Sequence, residues 1–260
     1  ILSNSFYFDG DQSEAIPEPS VVSKHLATFD ARNSSAAVPG LEMEDIWDIE
    51  EYTKKAFGKM AYANALSQFW DRAAEIAPYL SRADRAEFFA ILWGGYSEIT
   101  QLYTDLTTAL DHLKHADTVY SGLDALTPKE DSIIDVKTLH RLYDGYDAEM
   151  VELSTGAGQK VRIGKPVLCA LTAELVVPMQ ERPHDFLEHT DLLDFPGART
   201  RFEQPLSVKF QSDKGVSELL LRGKVAFLFD RYVADQEITS MLLCVADSNM
   251  EVDSLPGLIE

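Results

Sequence analysis

The chain is 260 residues long, enough to bury a large core, as one big domain or as a core with an insert. Its composition, 45% hydrophobic and 25% charged, is that of a globular chain. The formal net charge of −20 argues against nucleic acid and anionic membrane surfaces, yet permits a nucleotide, whose phosphates magnesium and backbone N–H groups can neutralise locally.

The two cysteines, Cys169 and Cys244, lie in apolar runs and read as small buried hydrophobes in a reducing cytosol. No apolar stretch approaches the roughly 18 residues of a spanning helix. The chain opens on ILSNSFYF and stops just after LPGLI, so it reads as an internal piece of a longer protein.

Residues 1–8 look like the end of an element that began upstream, and 9–40 like an acidic loop or tether with one short helix around VVSKHL. From Leu41 to Lys114 the apolar residues take a helical period. Ile46, Trp47, Ile49 and Tyr52 are spaced for one face of a first helix, and Tyr62, Leu66, Phe69, Ala73 and Ile76 for a second flanked by Trp70. Ser81 and Asp84 resemble a capping box opening a third helix through Phe88, Phe89 and Leu92, which Gly94–Gly95 interrupts. Ile99, Leu102, Tyr103, Leu106 and Leu110 form the stripe of a fourth.

Residues 118–146 are mixed, with one more helix expected in SIIDVKTLHRL. MVELSTGAGQKVRI reads as a hairpin turning at Gly156 and Gly158, with Val151, Leu153, Val161 and Ile163 on one side. Lys165–Leu175 fits a helix with Pro166 in its first turn. Leu175–Met179, Thr190–Leu193 and Ile238–Ala246 read as strands, and Lys214–Tyr232 as an amphipathic helix. Strand, turn, helix and strand over 190–247 make a βαβ-like unit, which implies a parallel sheet.

The sharpest chemical pattern is Asp194-Phe195-Pro196-Gly197, a D-x-x-G at the end of a short apolar run. In nucleotide hydrolases such an aspartate orders a magnesium-bound water and the glycine N–H meets the terminal phosphate. The same residues also fit a type II β-turn capped by the aspartate. Asp247 closes the second apolar strand and would face the same crevice, or simply cap it. His184, Asp185, His189 and Asp191 form a patch beside Asp194, but a His–His spacing of five suits neither a helix face nor a strand face for a metal. Arg199 and Arg201 follow the turn and fit either phosphate-charge stabilisation or local ion pairs, whereas Arg222 and Lys224 read as a solvated helix face. Gly156-Ala157-Gly158 lacks a Gly-Lys-Ser/Thr ending, and Gly58-Lys59, Gly164-Lys165 and Gly223-Lys224 are followed by Met, Pro and Val. A phosphate-binding lysine loop is therefore missing from this stretch.

EHTDLLDFPGAR, LLLRGKVAFLFDRY, EITSMLLCVAD and LPGLI closely resemble the bacterial virulence-factor family SrfC. So do DIWDIEEY, SRADRAEFFAILWG, HADTVYSGLDAL, SIIDV and ALTAEL upstream. Members of that family are much longer and resemble P-loop GTPases, including dynamin-like ones. The resemblance implies a phosphate-binding loop upstream of Ile1, with Thr190–Asp194 and Ser240–Asp247 as core strands.

The resulting expectation is an α/β fold: a partial P-loop NTPase-like core with a mainly parallel sheet and a large helical insertion. Residues 1–40 form an N-terminal segment and acidic loop, 41–146 the helical insertion and 147–260 the α/β core portion. Asp194 and Gly197 would bind Mg2+ and GTP or ATP, with Asp194 holding the metal through water. The rival expectation is a scaffold or effector subunit binding protein partners, from the same virulence operon or a host, through helices carrying Trp47, Trp70 or Trp93. The bacterial cytoplasm, or delivery as an effector, is the expected location.

Overall fold

Helix starts and stops follow local chemistry along the first half of the chain. The computed structural model describes residues 16–127, 130, 132–143, 149–177, 181, 183–190, 206–212 and 214–238. Helix α1 (Pro19–Asp30) begins with proline, whose missing N–H costs nothing in a first turn, and buries Val22, Leu26 and Phe29 at spacings of four and three. In α2 (Met43–Phe57) the Glu42 N–H donates to the Asp45 carboxylate at 2.7 Å, half of a reciprocal capping box. Glu44 and Asp45 in its first turn and Lys54 and Lys55 in its last complement the helix dipole.

The second expected helix is two: α3 (Ala61–Ala65) and α4 (Phe69–Ile76), with a break at Leu66–Gln68. Tyr62, Leu66, Phe69, Ala73 and Ile76 are all buried nonetheless. Helix α5 (Arg82–Phe89) starts where Ser81 Oγ accepts from the Asp84 N–H at 3.1 Å. It tightens into a 3₁₀ turn (Ala90–Trp93) and stops at Gly94, whose φ of 66° is left-handed and suits a residue without Cβ. Helix α6 (Ser97–His112) follows. These helices share one core, in which Phe69 and Phe88 lie 5.1 Å apart and Phe29 meets Phe88 edge-on at 5.3 Å.

Strands β1 (Val119–Ser121), β2 (Met150–Thr155) and β3 (Lys160–Gly164) form a sheet in that order, both pairings antiparallel. Val151 faces Ile163 and Leu153 faces Val161, as the alternation predicts. Their buried face packs on Ala109 and Leu113 at the end of α6 and on Leu168 of α8 (Lys165–Leu171). Short α7 (Val136–Leu139) and α9 (Leu206–Lys209) lead to α10 (Gly215–Ala234), whose Leu220 and Leu221 join Leu102, Leu139 and Cys169 in a further cluster.

The expected fold class is overturned. The described residues are mostly helical, and their small sheet is antiparallel throughout, so they supply no P-loop NTPase-like core. Strands of a parallel sheet are covered on both faces and read as continuous apolar runs. Strand β2 instead alternates buried and exposed residues, with Glu152 on the open face paired to Lys160 at 2.6 Å. The strand expected at Leu175–Met179 is also corrected in part: residues 175–177 belong to no strand and are exposed. Residues 191–193 and 240–247, on which the βαβ reading rested, lie outside the described residues.

Candidate functional site

Asp194 and Gly197 lie outside the described residues, as do Asp191, Arg199, Arg201, Cys244 and Asp247. His184 and His189 flank a 3₁₀ turn (Asp185–Glu188), where the His184 ring stacks on Phe186 at 5.7 Å. Among the described residues no group of three His, Cys, Asp or Glu side chains is placed to hold a metal ion. Gly158 takes the hairpin turn at φ 76°.

Lys224 departs from its expected solvated face. Its Nζ donates to the Cys169 carbonyl at 2.8 Å, and burial lowers the ammonium below its ordinary value. This bond fastens α10 to α8. Cys169 is a buried free thiol raised above its ordinary value by that burial, which makes it a poor nucleophile.

Three further polar arrangements resemble chemistry but serve packing. His140 Nδ1 lies 3.0 Å from Ser217 Oγ, and that hydroxyl donates to the Lys214 carbonyl at 3.0 Å. The single hydroxyl proton is thereby used, so His140 is the donor, and Ser217 is fully buried. Lys165, also buried, reaches the Glu149 carboxylate at 2.8 Å. Arg85 is buried on α5 with four backbone carbonyls around it: Ala77, Pro78, Val38 and Pro39. The periodic stripe of Phe88, Phe89 and Leu92 continues back to Arg85, a signal for a buried arginine that composition alone does not raise.

The three tryptophans separate sharply. Trp70 and Trp93 are 1% and 3% exposed, with the Trp93 Nε1–H donating to Thr100 Oγ1 at 2.9 Å. Trp47 is 46% exposed. The first-helix stripe is thus corrected: the buried row of α2 is Ile46, Thr53 and Phe57, with Ile49 and Tyr52 half-buried, and Trp47 sits about 100° around the helix from Ile46. Glu44 and Glu51, three residues before and four after, share its face, and Asp48 joins them in a row spaced four and three. Asp45 serves the cap and Glu50 pairs with Lys54 at 2.6 Å. Glu44, Asp48 and Glu51 make no ion pair among the described residues.

Fold and face together define an acidic, predominantly helical protein with a small antiparallel sheet and an outward aromatic–carboxylate surface. A family model described as "Putative bacterial virulence factor" matches residues 1–260, the whole chain, and the chain belongs to that family. No similarity to a curated protein or to a solved structure was found. None of the described helices is long and apolar enough to cross a membrane.

Proposed function

We propose that the chain is a protein-binding portion of a virulence-associated bacterial protein, engaging its partner through the outward face of α2. The observation that carries this reading is the exposure of Trp47 beside two tryptophans that the same core buries. An indole half in water forgoes the burial that stabilises its counterparts, and tryptophan is enriched among residues that anchor protein contacts. The SrfC resemblance fits partners encoded in the same operon or supplied by a host.

The test places a photo-crosslinking phenylalanine analogue at position 47 of the intact protein in its own bacterium, with position 120 as an exposed aromatic control. A discrete protein adduct from 47 and none from 120 is expected, and Trp47→Ser should abolish co-purification of that same protein. A folded protein that yields no adduct at 47 would refute the reading. The separate nucleotide question rests on Asp194 and Gly197 and is decided by titrating intact protein with fluorescent GTP in magnesium, then repeating with Asp194→Ala.

A further inference from the structure

Resting on that partner-binding reading, we infer that the partner presents an arginine-bearing helix to the α2 face. Three features on one surface point to it. Glu44, Asp48 and Glu51 form a row of exposed carboxylates that make no ion pair among the described residues, with Lys55 the one cation on the same helix face, four residues after Glu51. Like charges three and four residues apart weaken a helix, so Glu44, Asp48 and Glu51 count against α2 in isolation, and Lys55 at four residues from Glu51 offsets only part of that. The first-turn position of Glu44 explains part of it through the helix dipole, but Asp48 and Glu51 lie beyond the reach of that effect.

The second feature is the indole itself. Trp47 shares its face with Glu44 and Glu51, and a guanidinium stacked on its ring would lie within reach of both carboxylates. Arginine suits this arrangement better than lysine, because its planar fork stacks on aromatic rings and pairs with carboxylates in two-point fashion. The third is spacing. Seven residues of α-helix rise about 10 Å, so cations at the same four-and-three spacing on a partner helix would meet all three acids. The chain's net charge of −20 would steer such a segment inward.

The probe is a pair of amphipathic peptides of identical length, one with arginines at the first, fifth and eighth positions and one with glutamines there. Both are titrated into the full chain while the three indole N–H signals are followed by NMR, with Trp47→Phe identifying one of them. The arginine peptide should move the Trp47 signal alone and bind at least about tenfold tighter than the glutamine peptide, with the difference shrinking in high salt. Glu44→Gln, Asp48→Asn and Glu51→Gln combined should weaken it about tenfold, as three exposed ion pairs would. That triple variant should melt no lower than the parent. The control, Glu98→Gln with Asp117→Asn and Asp124→Asn, removes the same charge elsewhere and should change binding less than about twofold.

Equal binding of both peptides at Trp47 would overturn the basic partner while leaving the α2 face standing as a docking surface. An unmoved Trp47 signal would overturn the inference, and the cross-linking result would still decide the broader reading. An equal loss in the control variant would also overturn it, by reducing the effect to bulk charge.

Discussion

The Arg85 guanidinium donates through Nη1 to the Pro39 carbonyl at 2.9 Å, across 46 residues of chain. Its other donors hold Ala77 and Pro78 at 2.9 Å each and Val38 at closer range. The loop between α1 and α2 is thereby tied to α5 and to the turn before it. Burial lowers the guanidinium below its ordinary value, but arginine remains charged. Replacing it with methionine keeps volume and strands the carbonyls. Arg85→Met should therefore cost about 3 kcal/mol in chemical denaturation, with Arg85→Lys intermediate because one ammonium cannot span four acceptors.

Trp47 and Trp70 should respond oppositely to truncation. Trp70→Ala opens a cavity in the helical core and should cost about 3–5 kcal/mol. Trp47→Ala should change stability by about 0.5 kcal/mol or less while removing the anchor of the proposed interface. Denaturation curves of the two variants side by side check this, and a Trp47→Ala cost near that of Trp70→Ala would show a core role instead.

His25 makes the helical core sensitive to mild acid. Its ring lies 4.9 Å from Phe29 and 5.7 Å from Phe88, and its Nε2–H donates to the Phe88 carbonyl at 2.7 Å. Burial holds the imidazole below its ordinary 6.5, against the smaller upward pull of that bond. The unfolded chain therefore takes up the proton first, so the stabilisation is complete above about 6.5 and is lost as pH falls through the depressed folded value. An NMR titration of His25 should give a midpoint under 6.5, and His25→Phe should flatten this part of the stability profile.

Tyr103 acts at the other end of the scale. Burial pushes its phenol up to about 12, opposed by the Arg85 charge. A raised folded value means that the stabilisation is complete below the ordinary 10.0 and is lost as pH rises through about 12. Phenolate absorbance of the folded protein should show Tyr103 titrating late, with Tyr143 raised in the same direction by its burial. Tyr103→Phe should delete one late tyrosine from that curve.

Much of the helical half was readable in advance because each signal was local. The Ser81 cap, the glycine stop at Gly94 and the stripe of α6 require only neighbours within a turn or two. The hairpin of β2 and β3 was equally legible, since alternation specifies which side is buried. The division of the second helix at Leu66–Gln68 was not, because a continuous stripe carries no mark of a break when both halves keep their apolar residues inside. The site expected at Asp194 and Gly197 falls outside the described residues, and the face around Trp47 was hidden among three chemically identical candidates.

Composition and periodicity alone established an acidic chain, a run of amphipathic helices from about residue 41 and a hairpin around Gly156. Only the assembled molecule decided that β1 pairs along the hairpin's β2 edge, that Arg85 and Lys224 are drawn inward, and that Trp47 of the three tryptophans faces water. The physical reason is range. Helical and strand periods arise from residues a few positions apart, whereas the pairing of a distant strand and the burial of one indole over another depend on which distant elements share a core.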